Sequence, residues 1–303
     1  MARIVCVGEG MLELAGRKGE WDLRYGGDML NTAIHLSRGG HDVALLTALG
    51  KDRLSRRLKE AWADEGLDTS LILEHPTRHA GLYAIDFDQA GARSFNYWRE
   101  NSAAREMFAL ADTALWRRAI AGVDLLVFSL ISLAILPLNG RAALLMLADM
   151  AREGGGRVAF SGKYRPALWP SAEEARNWCD RAIGVASFGL ATREDEIQLG
   201  EPGDAEQIAA RWARLGCGEV VVKLGREGTR LPDGHIQAPG AVFTPLDASG
   251  ASDAFDAGYL GARLNGLDPQ AAALAGERLA AQTARLTGSI PSRAAYAGLE
   301  PGA

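Results

Sequence analysis

The chain has 303 residues, 48% of them hydrophobic, and a formal net charge of -5 at pH 7. This length and apolar content allow a large buried core in one α/β domain with an accessory element. Charges of both signs are interspersed, so the sequence lacks the concentrated basic patch that nucleic-acid binding requires. A small anionic ligand is still compatible with it, because a few local arginines suffice to bind one.

Cysteine spacing and hydropathy exclude several further classes of protein. Cys6, Cys179 and Cys217 lie far apart without a CxxC pair, so they predict neither a disulfide framework nor a zinc site. No run approaches 18 uncharged apolar residues, and the N-terminus does not have the pattern of a signal peptide. We therefore expect a cytoplasmic protein that binds neither membrane nor nucleic acid.

Buried strands alternate with helices along most of the chain. Short apolar, β-rich runs predict strands at residues 3–7, 43–49, 123–129, 157–160 and 220–224. Helical patterns predict helices at about residues 29–38, 53–65, 139–152, 171–182, 204–215, 251–265 and 268–286. This alternation predicts an α/β fold in which a mostly parallel sheet carries helices on both faces.

Two segments, at about residues 11–26 and 71–99, interrupt that rhythm. Both contain alternating apolar and polar residues with little helical pattern. Such alternation predicts a small antiparallel sheet that stands apart from the core. We interpret the two segments as a lid inserted into a single domain that spans residues 1–303.

Paired glycines precede the first predicted helix. Gly26 and Gly27 leave the backbone bare, which lets a polyhydroxylated ligand approach its N–H and C=O groups closely. Asn31, one turn into the helix, offers a donor and an acceptor to a sugar hydroxyl. A tight turn in which Asp28 caps the helix would produce the same pattern, so this segment alone leaves both interpretations open.

Small residues also lead into the predicted helix at 251–265. The backbone N–H groups of Gly250, Ala251 and Ser252 and the positive helix end point to one place, which predicts an anion site, most often for phosphate. Asp253 lies at the same place. It suits a base that takes a proton from an attacking hydroxyl, although a carboxylate there also simply favours the helix dipole.

Together, these two segments resemble the paired motifs of the ribokinase-like (PfkB) carbohydrate kinases. The resemblance extends over nearly the whole chain and is strongest to the branch that phosphorylates 2-keto-3-deoxygluconate. It implies a ribokinase-like fold, Asp253 as the catalytic base, Gly250 to Ser252 as the anion hole, and ATP with Mg²⁺ as cofactors. The residues that it assigns to the substrate are Gly26, Gly27, Asn31, Tyr83, Tyr97, Arg99 and Arg165.

Two arginines distinguish a sugar acid from a neutral sugar. A neutral sugar needs only hydroxyl partners, whereas a 2-keto acid needs a cation, and arginine binds a carboxylate in a planar, bidentate way. The resemblance places Arg99 and Arg165 at the acidic end of the substrate, beside Tyr83 and Tyr97. Arg99 as a solvated lid charge and Arg165 as a structural ion-pair partner remain alternatives.

Nucleotide and magnesium contacts are implied by the resemblance alone. Lys223, Gly225 and Gly228 correspond to the turn beside ATP, although a glycine hairpin has the same pattern. Glu196 lies in the acidic segment that handles Mg²⁺ through water in the family. An acid-rich helix start would look the same.

The chain departs from the family pattern at three places. Ser252 stands where glycine is usual, so its side chain either crowds the anion or donates to it. Ser161-Gly162-Lys163 replaces the usual Asp-x-Asn, and the asparagine common before the acidic segment is absent. Lys163 brings a cation that can neutralise charge on a transferring phosphoryl group.

The sequence thus predicts ATP-dependent phosphorylation of 2-keto-3-deoxygluconate at its C6 hydroxyl, giving 2-keto-3-deoxy-6-phosphogluconate. The alternatives are a kinase for another sugar acid or a neutral sugar, and a non-catalytic homologue that binds sugar acids. We also expect a homo-oligomer. Asp247 and Ser249 fall where some relatives bind a monovalent cation such as K⁺.

Overall fold

A computed structural model describes residues 1–17, 20–87, 93–110, 112–239 and 246–297. The strands in these ranges are β1 (Arg3–Val7), β2 (Met11–Arg17), β3 (Glu20–Gly26), β4 (Asp42–Leu49), β5 (Ile72–Glu74), β6 (Gly81–Phe87), β7 (Arg93–Trp98), β8 (Leu125–Ser129), β9 (Arg157–Ser161), β10 (Phe188–Thr192), β11 (Glu219–Lys223), β12 (Thr229–Arg230) and β13 (Ile236–Gln237).

The helices in the same ranges are α1 (Asp28–Arg38), α2 (Arg53–Asp64), α3 (Met107–Leu110), α4 (Thr113–Ile120), α5 (Leu130–Ile135), α6 (Leu138–Glu153), α7 (Ala172–Val185), α8 (Arg193–Gln198), α9 (Ala205–Arg214), α10 (Ala251–Leu264), α11 (Pro269–Ala284) and α12 (Arg293–Ala297). Seven of them, α1, α2, α6, α7, α9, α10 and α11, begin and end close to the predicted positions, whereas the shorter α3, α4, α5, α8 and α12 were not predicted. Within the described ranges, no helix is both long and apolar enough to cross a membrane.

A large sheet forms the centre of the fold. Its strand order, as far as the chain is described, is β13-β12-β11-β10-β9-β8-β1-β4-β5. Pairing is parallel from β11 to β5, and only the short β12 and β13 at one edge are antiparallel. The expected α/β fold with a mostly parallel sheet is therefore confirmed.

Alternate residues of the central strands supply two separate cores. Val5 and Val7 of β1 pack with the side of the sheet covered by α5, α6, α7 and α9. Ile4 and Cys6 pack with α1, α2, α10 and α11 on the other side. Because both faces of the sheet are covered, nearly every residue of the inner strands is apolar. This explains why these strands could be predicted from apolar runs in the sequence.

The second sheet has the order β3-β2-β6-β7. This small, separate sheet confirms the prediction, and its outer pairs, β2 with β3 and β6 with β7, are antiparallel. Its central pair, β2 with β6, is parallel, which the alternation could not indicate. The prediction also extended too far, because Ile72–Glu74 pairs with β4 of the large sheet. Residues 18–19 and 88–92 of the two predicted segments lie outside the described residues.

Strand β10 was missed because its sequence, Phe-Gly-Leu-Ala-Thr, has a glycine and little β-branched character. The glycine has a packing role. A Cβ at Gly189 would lie 2.6 Å from the ring of Trp212 and 2.7 Å from Sγ of Cys217. Glycine is therefore needed at position 189, because the fully buried Trp212 ring packs directly against the backbone of β10.

Glycines also let α10 and α11 touch through their backbones. A Cβ at Gly258 would lie 2.8 Å from Cα of Gly276, and a Cβ at Gly276 would lie 2.9 Å from the carbonyl oxygen of Phe255. Contact this close fixes α10 against its neighbour, and α10 carries Asp253 in its first turn.

A buried carboxyl group lies beneath the Trp212 ring. Trp212 stacks on Phe160 with ring centroids 5.6 Å apart, and its Nε1 donates to Glu196 Oε1 at 3.0 Å. Arg211 donates to the other oxygen of Glu196 at 3.3 Å. Burial raises the pKa of Glu196 to about 7, although the Arg211 charge and the Trp212 hydrogen bond both lower it.

We predict that Glu196→Gln changes the pH dependence of stability. Between pH 4.5, the ordinary pKa of glutamate, and about 7, the unfolded chain ionises Glu196 while the folded chain retains the proton. The contribution of Glu196 to the stability of the wild type therefore falls as pH rises through this window, whereas glutamine in the variant does not titrate and makes no such change. The free energy of unfolding of the variant relative to wild type should rise by about 2–3 kcal/mol from pH 5 to pH 8, measured by urea unfolding.

Glu206→Gln is the matched control, because the Glu206 side chain is 70% exposed and pairs with Arg230 at the surface. Its stability difference from wild type should stay nearly constant over the same pH range. A constant difference for Glu196→Gln as well would show that this carboxyl group is ionised normally in the folded protein.

Candidate active site

Charged and polar residues lie together at the carboxyl ends of the parallel strands, and Lys223 among them is a predicted site residue. Glu9 follows β1, Ser129 ends β8, Lys163 follows β9, Asp195 lies just after β10, and Lys223 ends β11. Open α/β sheets bind their ligands at this edge, because the loops and helix N-termini that follow the strands meet there. The N-terminus of α10 faces the same edge through its contacts with Lys163 and Lys223.

The first turn of α10 has no side-chain cap among the described residues, and the N–H of Ala251 donates to the carbonyl oxygen of Ala248 at 3.4 Å. Gly250 precedes the helix with φ +73°. A Cβ at Gly250 would lie 2.5 Å from the carbonyl oxygen of Ser289, so the position requires glycine. An anion hole formed by the N–H groups of Gly250, Ala251 and Ser252 stays a prediction.

Asp253 is 8% exposed and contacts two polar side chains. Asn31 Nδ2 donates to Asp253 Oδ2 at 2.7 Å across 222 residues of sequence, and Lys163 Nζ donates to Oδ1. Burial raises the pKa of Asp253, the Lys163 ammonium opposes this rise, and the nearby Asp28 carboxylate adds to it. Asn31 Oδ1 finds no donor among the described residues, so it is available to a ligand hydroxyl.

The two glycines at 26 and 27 are both needed sterically. A Cβ at Gly26 would lie 2.2 Å from the Tyr83 hydroxyl oxygen. A Cβ at Gly27, where φ is +151°, would lie 2.2 Å from the carbonyl oxygen of Glu9. The bare backbone expected for ligand binding therefore lies directly beside a predicted substrate residue.

Asp28 was interpreted only as a possible helix cap, and the structure gives it another place. Gly27 is the residue that precedes α1, and the Asp28 carboxylate accepts a hydrogen bond of 2.5 Å from the Ser129 hydroxyl. Asp28 also lies close enough to raise the pKa of Asp253. The position of Asp28 directly after the paired glycines of the predicted ligand-binding segment was the feature of the sequence that could have indicated it as a site residue.

Arg99 is buried and already has a carboxylate partner. Its Nη2 lies 2.6 Å from Glu9 Oε2, and the two side chains are 7% and 1% exposed. Its Nε finds no acceptor among the described residues. Arg99 is therefore not the solvated lid charge considered as an alternative, and its remaining donor is oriented for a further acceptor. Carboxylate binding by Arg99 stays a prediction.

The two predicted tyrosines lie side by side on the small sheet. Tyr83 and Tyr97 stack with ring centroids 5.7 Å apart. The Tyr83 hydroxyl donates to the buried Glu13, and burial together with the Glu13 charge raises the pKa of Tyr83. Burial also raises the pKa of Tyr97, whereas the charges of Arg99 and Arg165 lower it. Arg99 lies over the Tyr97 ring, with its Cζ 5.7 Å from the ring centroid.

Arg165 is the more accessible of the two arginines. Its side chain is 54% exposed, and Nη1 donates to the carbonyl oxygen of Tyr164 at 2.6 Å and to Asp195 Oδ1 at 3.1 Å. The structural ion pair considered as an alternative is therefore present. It leaves other guanidinium donors facing solvent, so it does not conflict with a role in ligand binding.

The predicted nucleotide residues lie next to α10. Lys223 Nζ donates to Ser252 Oγ at 2.9 Å and to Asp256 Oδ1 at 2.6 Å. Gly225 and Gly228 have φ values of +61° and +101°, and a Cβ at Gly228 would lie 2.0 Å from the carbonyl oxygen of Gln237. The glycines are explained by this tight turn, and nucleotide binding by all three residues stays a prediction.

The predicted magnesium residue Glu196 is buried, and binding of Mg²⁺ by it through water stays a prediction. Both oxygens of Glu196 already accept hydrogen bonds, and the residue is 1% exposed. Glu194, on the same helix, is exposed, and its Oε1 would lie 3.6 Å from a Cβ at Gly225. Within the described ranges, no cluster of three His, Cys, Asp or Glu side chains could hold a metal ion.

The predicted monovalent-cation residues lie in a hydrogen-bonded turn. Asp247 Oδ1 accepts from the backbone N–H of Ser249 and Oδ2 from that of Gly288, both at 2.9 Å. The preceding residues, 240–245, lie outside the described part of the chain. Potassium binding here stays a prediction.

Comparison with known proteins identifies the family. The model of the pfkB family carbohydrate kinases matches residues 1–295. The 2-dehydro-3-deoxygluconokinase of Escherichia coli K12 is 36% identical over 304 residues, which cover 97% of this chain and 98% of that protein. The structure of a PfkB protein from Polaromonas sp. JS666 superposes with a TM-score of 0.83 at 29% identity, covering 98% and 99% of the two chains. The chain therefore belongs to the pfkB family of carbohydrate kinases.

Proposed function

We propose that this carbohydrate kinase transfers the γ-phosphoryl group of ATP to the C6 hydroxyl of 2-keto-3-deoxygluconate. The observation that carries the proposal is Asp253, a buried carboxylate in the first turn of α10 that hydrogen-bonds Asn31 of the paired-glycine segment. A base, a sugar-binding amide and a set of anion-binding N–H groups thus meet at one place. Relatives 33–36% identical over nearly their full length carry the name 2-dehydro-3-deoxygluconokinase, a synonym for the same activity.

The chemistry requires one base and a place for developing negative charge. Asp253 takes the proton from the C6 hydroxyl as that oxygen attacks the γ-phosphorus, and the bond from this phosphorus to the oxygen bridging it to the β-phosphorus breaks. The products are 2-keto-3-deoxy-6-phosphogluconate and ADP. The backbone N–H groups of Gly250, Ala251 and Ser252 stabilise the charge on the transferring group.

The sugar acid is held between the small sheet and the carboxyl edge of the large one. Its carboxylate lies near Arg165 and the free Nε of Arg99, and its carbon chain packs against Tyr83 and Tyr97. Tyr83 and Tyr97 stack on each other, and Cζ of Arg99 lies 5.7 Å from the centroid of the Tyr97 ring, which supports this placement. The small sheet acts as a lid, and its closure excludes water that would otherwise accept the phosphoryl group.

ATP as phosphate donor is supported by the family and by a structural neighbour from Pyrococcus horikoshii solved in complex with ATP, with a TM-score of 0.77. Mg²⁺ would supply positive charge on the phosphates, and the exposed Glu194 or the predicted Glu196 would hold it through water. A cytoplasmic location and homo-oligomerisation stay predictions.

A substrate screen tests the proposal. We expect ADP release with 2-keto-3-deoxygluconate to exceed that with fructose or ribose by at least about 10-fold in kcat/KM, because only the acid satisfies the arginines. The reaction product should carry its phosphate on C6 by ³¹P and ¹³C NMR. A preference for a neutral sugar would contradict the substrate. Tight binding of the acid without ADP release would favour the non-catalytic alternative.

We predict that Asp253→Asn lowers kcat by about 10³-fold, because the amide cannot accept the proton. The KM values for sugar acid and ATP should change little, since the shape and the Asn31 contact are retained. Asp268→Asn, the same substitution at the start of α11, should keep wild-type kcat, as asparagine caps a helix equally well. If Asp253→Asn retained a tenth of the wild-type kcat, Asp253 would not be the base.

We predict that Arg165→Ala raises KM for 2-keto-3-deoxygluconate by about 10–150-fold and leaves KM for ATP nearly unchanged, because a charge-assisted contact to the carboxylate is lost. Arg165 is the better test residue, since removing Arg99 leaves Glu9 buried without its cation. Arg152→Ala, at an exposed arginine of α6, is the control. Unchanged binding of the acid by Arg165→Ala would place the carboxylate elsewhere.

A further inference from the structure

Lys163 is the least expected residue of the site. It lies just after β9, is 3% exposed, and donates through Nζ to Asp253 Oδ1. The same Nζ lies 3.4 Å from Asp256 Oδ2, one turn further along α10. A buried lysine is costly unless its charge is paired, and here both pairing carboxylates come from the helix that carries the base.

Asp256 fixes the direction of Lys163. It is 1% exposed and accepts hydrogen bonds from Ser161 at 2.8 Å and from Lys223 at 2.6 Å. With these partners in place, Asp256 cannot turn away, and Lys163 bridges it to Asp253. Asp256 therefore fixes the Lys163 ammonium in the position from which it donates to Asp253.

We propose that Lys163 is the positioning residue of the catalytic base: it holds the Asp253 carboxylate ionised inside the protein and occupies Oδ1, so that Oδ2 accepts the substrate proton. This inference rests on the proposed kinase activity. Oδ2 accepts one hydrogen bond from Asn31, and a carboxylate oxygen has a second lone pair for the C6 hydroxyl.

The pairing also changes the charge of the site during the reaction. The Lys163–Asp253 pair is neutral before proton transfer and has a charge of +1 once Asp253 has accepted the proton. The Lys163 ammonium, which then keeps Asp256 as a carboxylate partner, lies at the start of α10, beside the N–H groups proposed to face the phosphoryl group. Positive charge thus develops in the protein at the step in which the transferring group needs it.

The other groups that face Asp253 do not replace this cation. Asp28 on α1 brings negative charge, and Asn31 on the same helix is neutral. On α10, Asp256 is negative, and Lys223 of β11 is directed at Asp256 and Ser252. Burial raises the pKa of Asp253 and the Lys163 ammonium is the main opposing influence. Burial would lower the pKa of Lys163, but Asp253 and Asp256 raise it, so it remains protonated.

The test is the pH profile of kcat/KM for the sugar acid in full-length wild type and Lys163→Met, with ADP release as the readout. The acidic limb reports the base of the free enzyme. We expect it to move to higher pH by about 1–3 units in Lys163→Met, because a buried carboxylate loses its neighbouring cation. The plateau of kcat should fall by about 10²-fold or more, with little change in KM.

Two variants separate positioning from simple structural support. Lys163→Arg keeps the charge and should leave the acidic limb near its wild-type position. Lys223→Met removes the other lysine on Asp256 without touching Asp253, and should shift the limb by less than about half a unit. A limb that stays in place in a folded Lys163→Met, or one that moves equally in Lys223→Met, would overturn the proposal.

Further measurements keep the proposal testable if Lys163→Met does not fold or if the wild type shows no kinase activity. If Lys163→Met does not fold, as judged by circular dichroism, the same shift is expected in Lys163→Gln, which keeps a hydrogen bond without the charge. A wild-type acidic limb above pH 7 would overturn the proposal regardless of any variant, since the base would then be protonated at neutral pH. Absence of ADP release from wild type with every substrate would instead refute the proposed function.

Discussion

Burial of an ionised carboxylate at the start of a helix is the constraint on which the site depends. In the proposed reaction, Asp253 must be shielded from water, so that water does not accept the phosphoryl group, and Asp253 must still be charged. The chain reconciles these needs with Lys163, Asn31 and the positive end of α10. Each comes from a different part of the sequence, so the large sheet, which aligns the ends of β9 and α1, is a precondition for the base itself.

Close backbone contacts decide where that base can be. Glycines at 258 and 276 seat α10 on α11, and the glycine at 250 passes Ser289 at a distance that admits no side chain. On the opposite side, Gly26 and Gly27 bring the small sheet against the same space. The glycines are visible in the sequence, where they indicate backbone freedom. Only the contacts show that they also allow neighbouring elements to pack closely.

The sequence carries information on local pattern better than on pairing in space. Both-face burial made the inner strands apolar, so the sheet could be predicted, whereas β10 was hidden by the glycine that accommodates Trp212. The motif residues indicated Asp253 and Asn31. The ion pairs of Arg99 with Glu9 and of Lys163 with Asp253 could not be predicted, because each joins two residues that lie 90 positions apart in sequence and share no motif.

The parallel pairing of β2 with β6 has a consequence for how the molecule assembles. The two strands are separated in sequence by β3 of the small sheet and then by α1, β4, α2 and β5, which belong to the body of the fold. Contacts between distant segments form late, because closing a long loop costs entropy before it is rewarded. The small sheet is therefore expected to form after the first half of the large sheet has docked. In a nascent chain, α10 with Asp253 is synthesised after every described strand of both sheets.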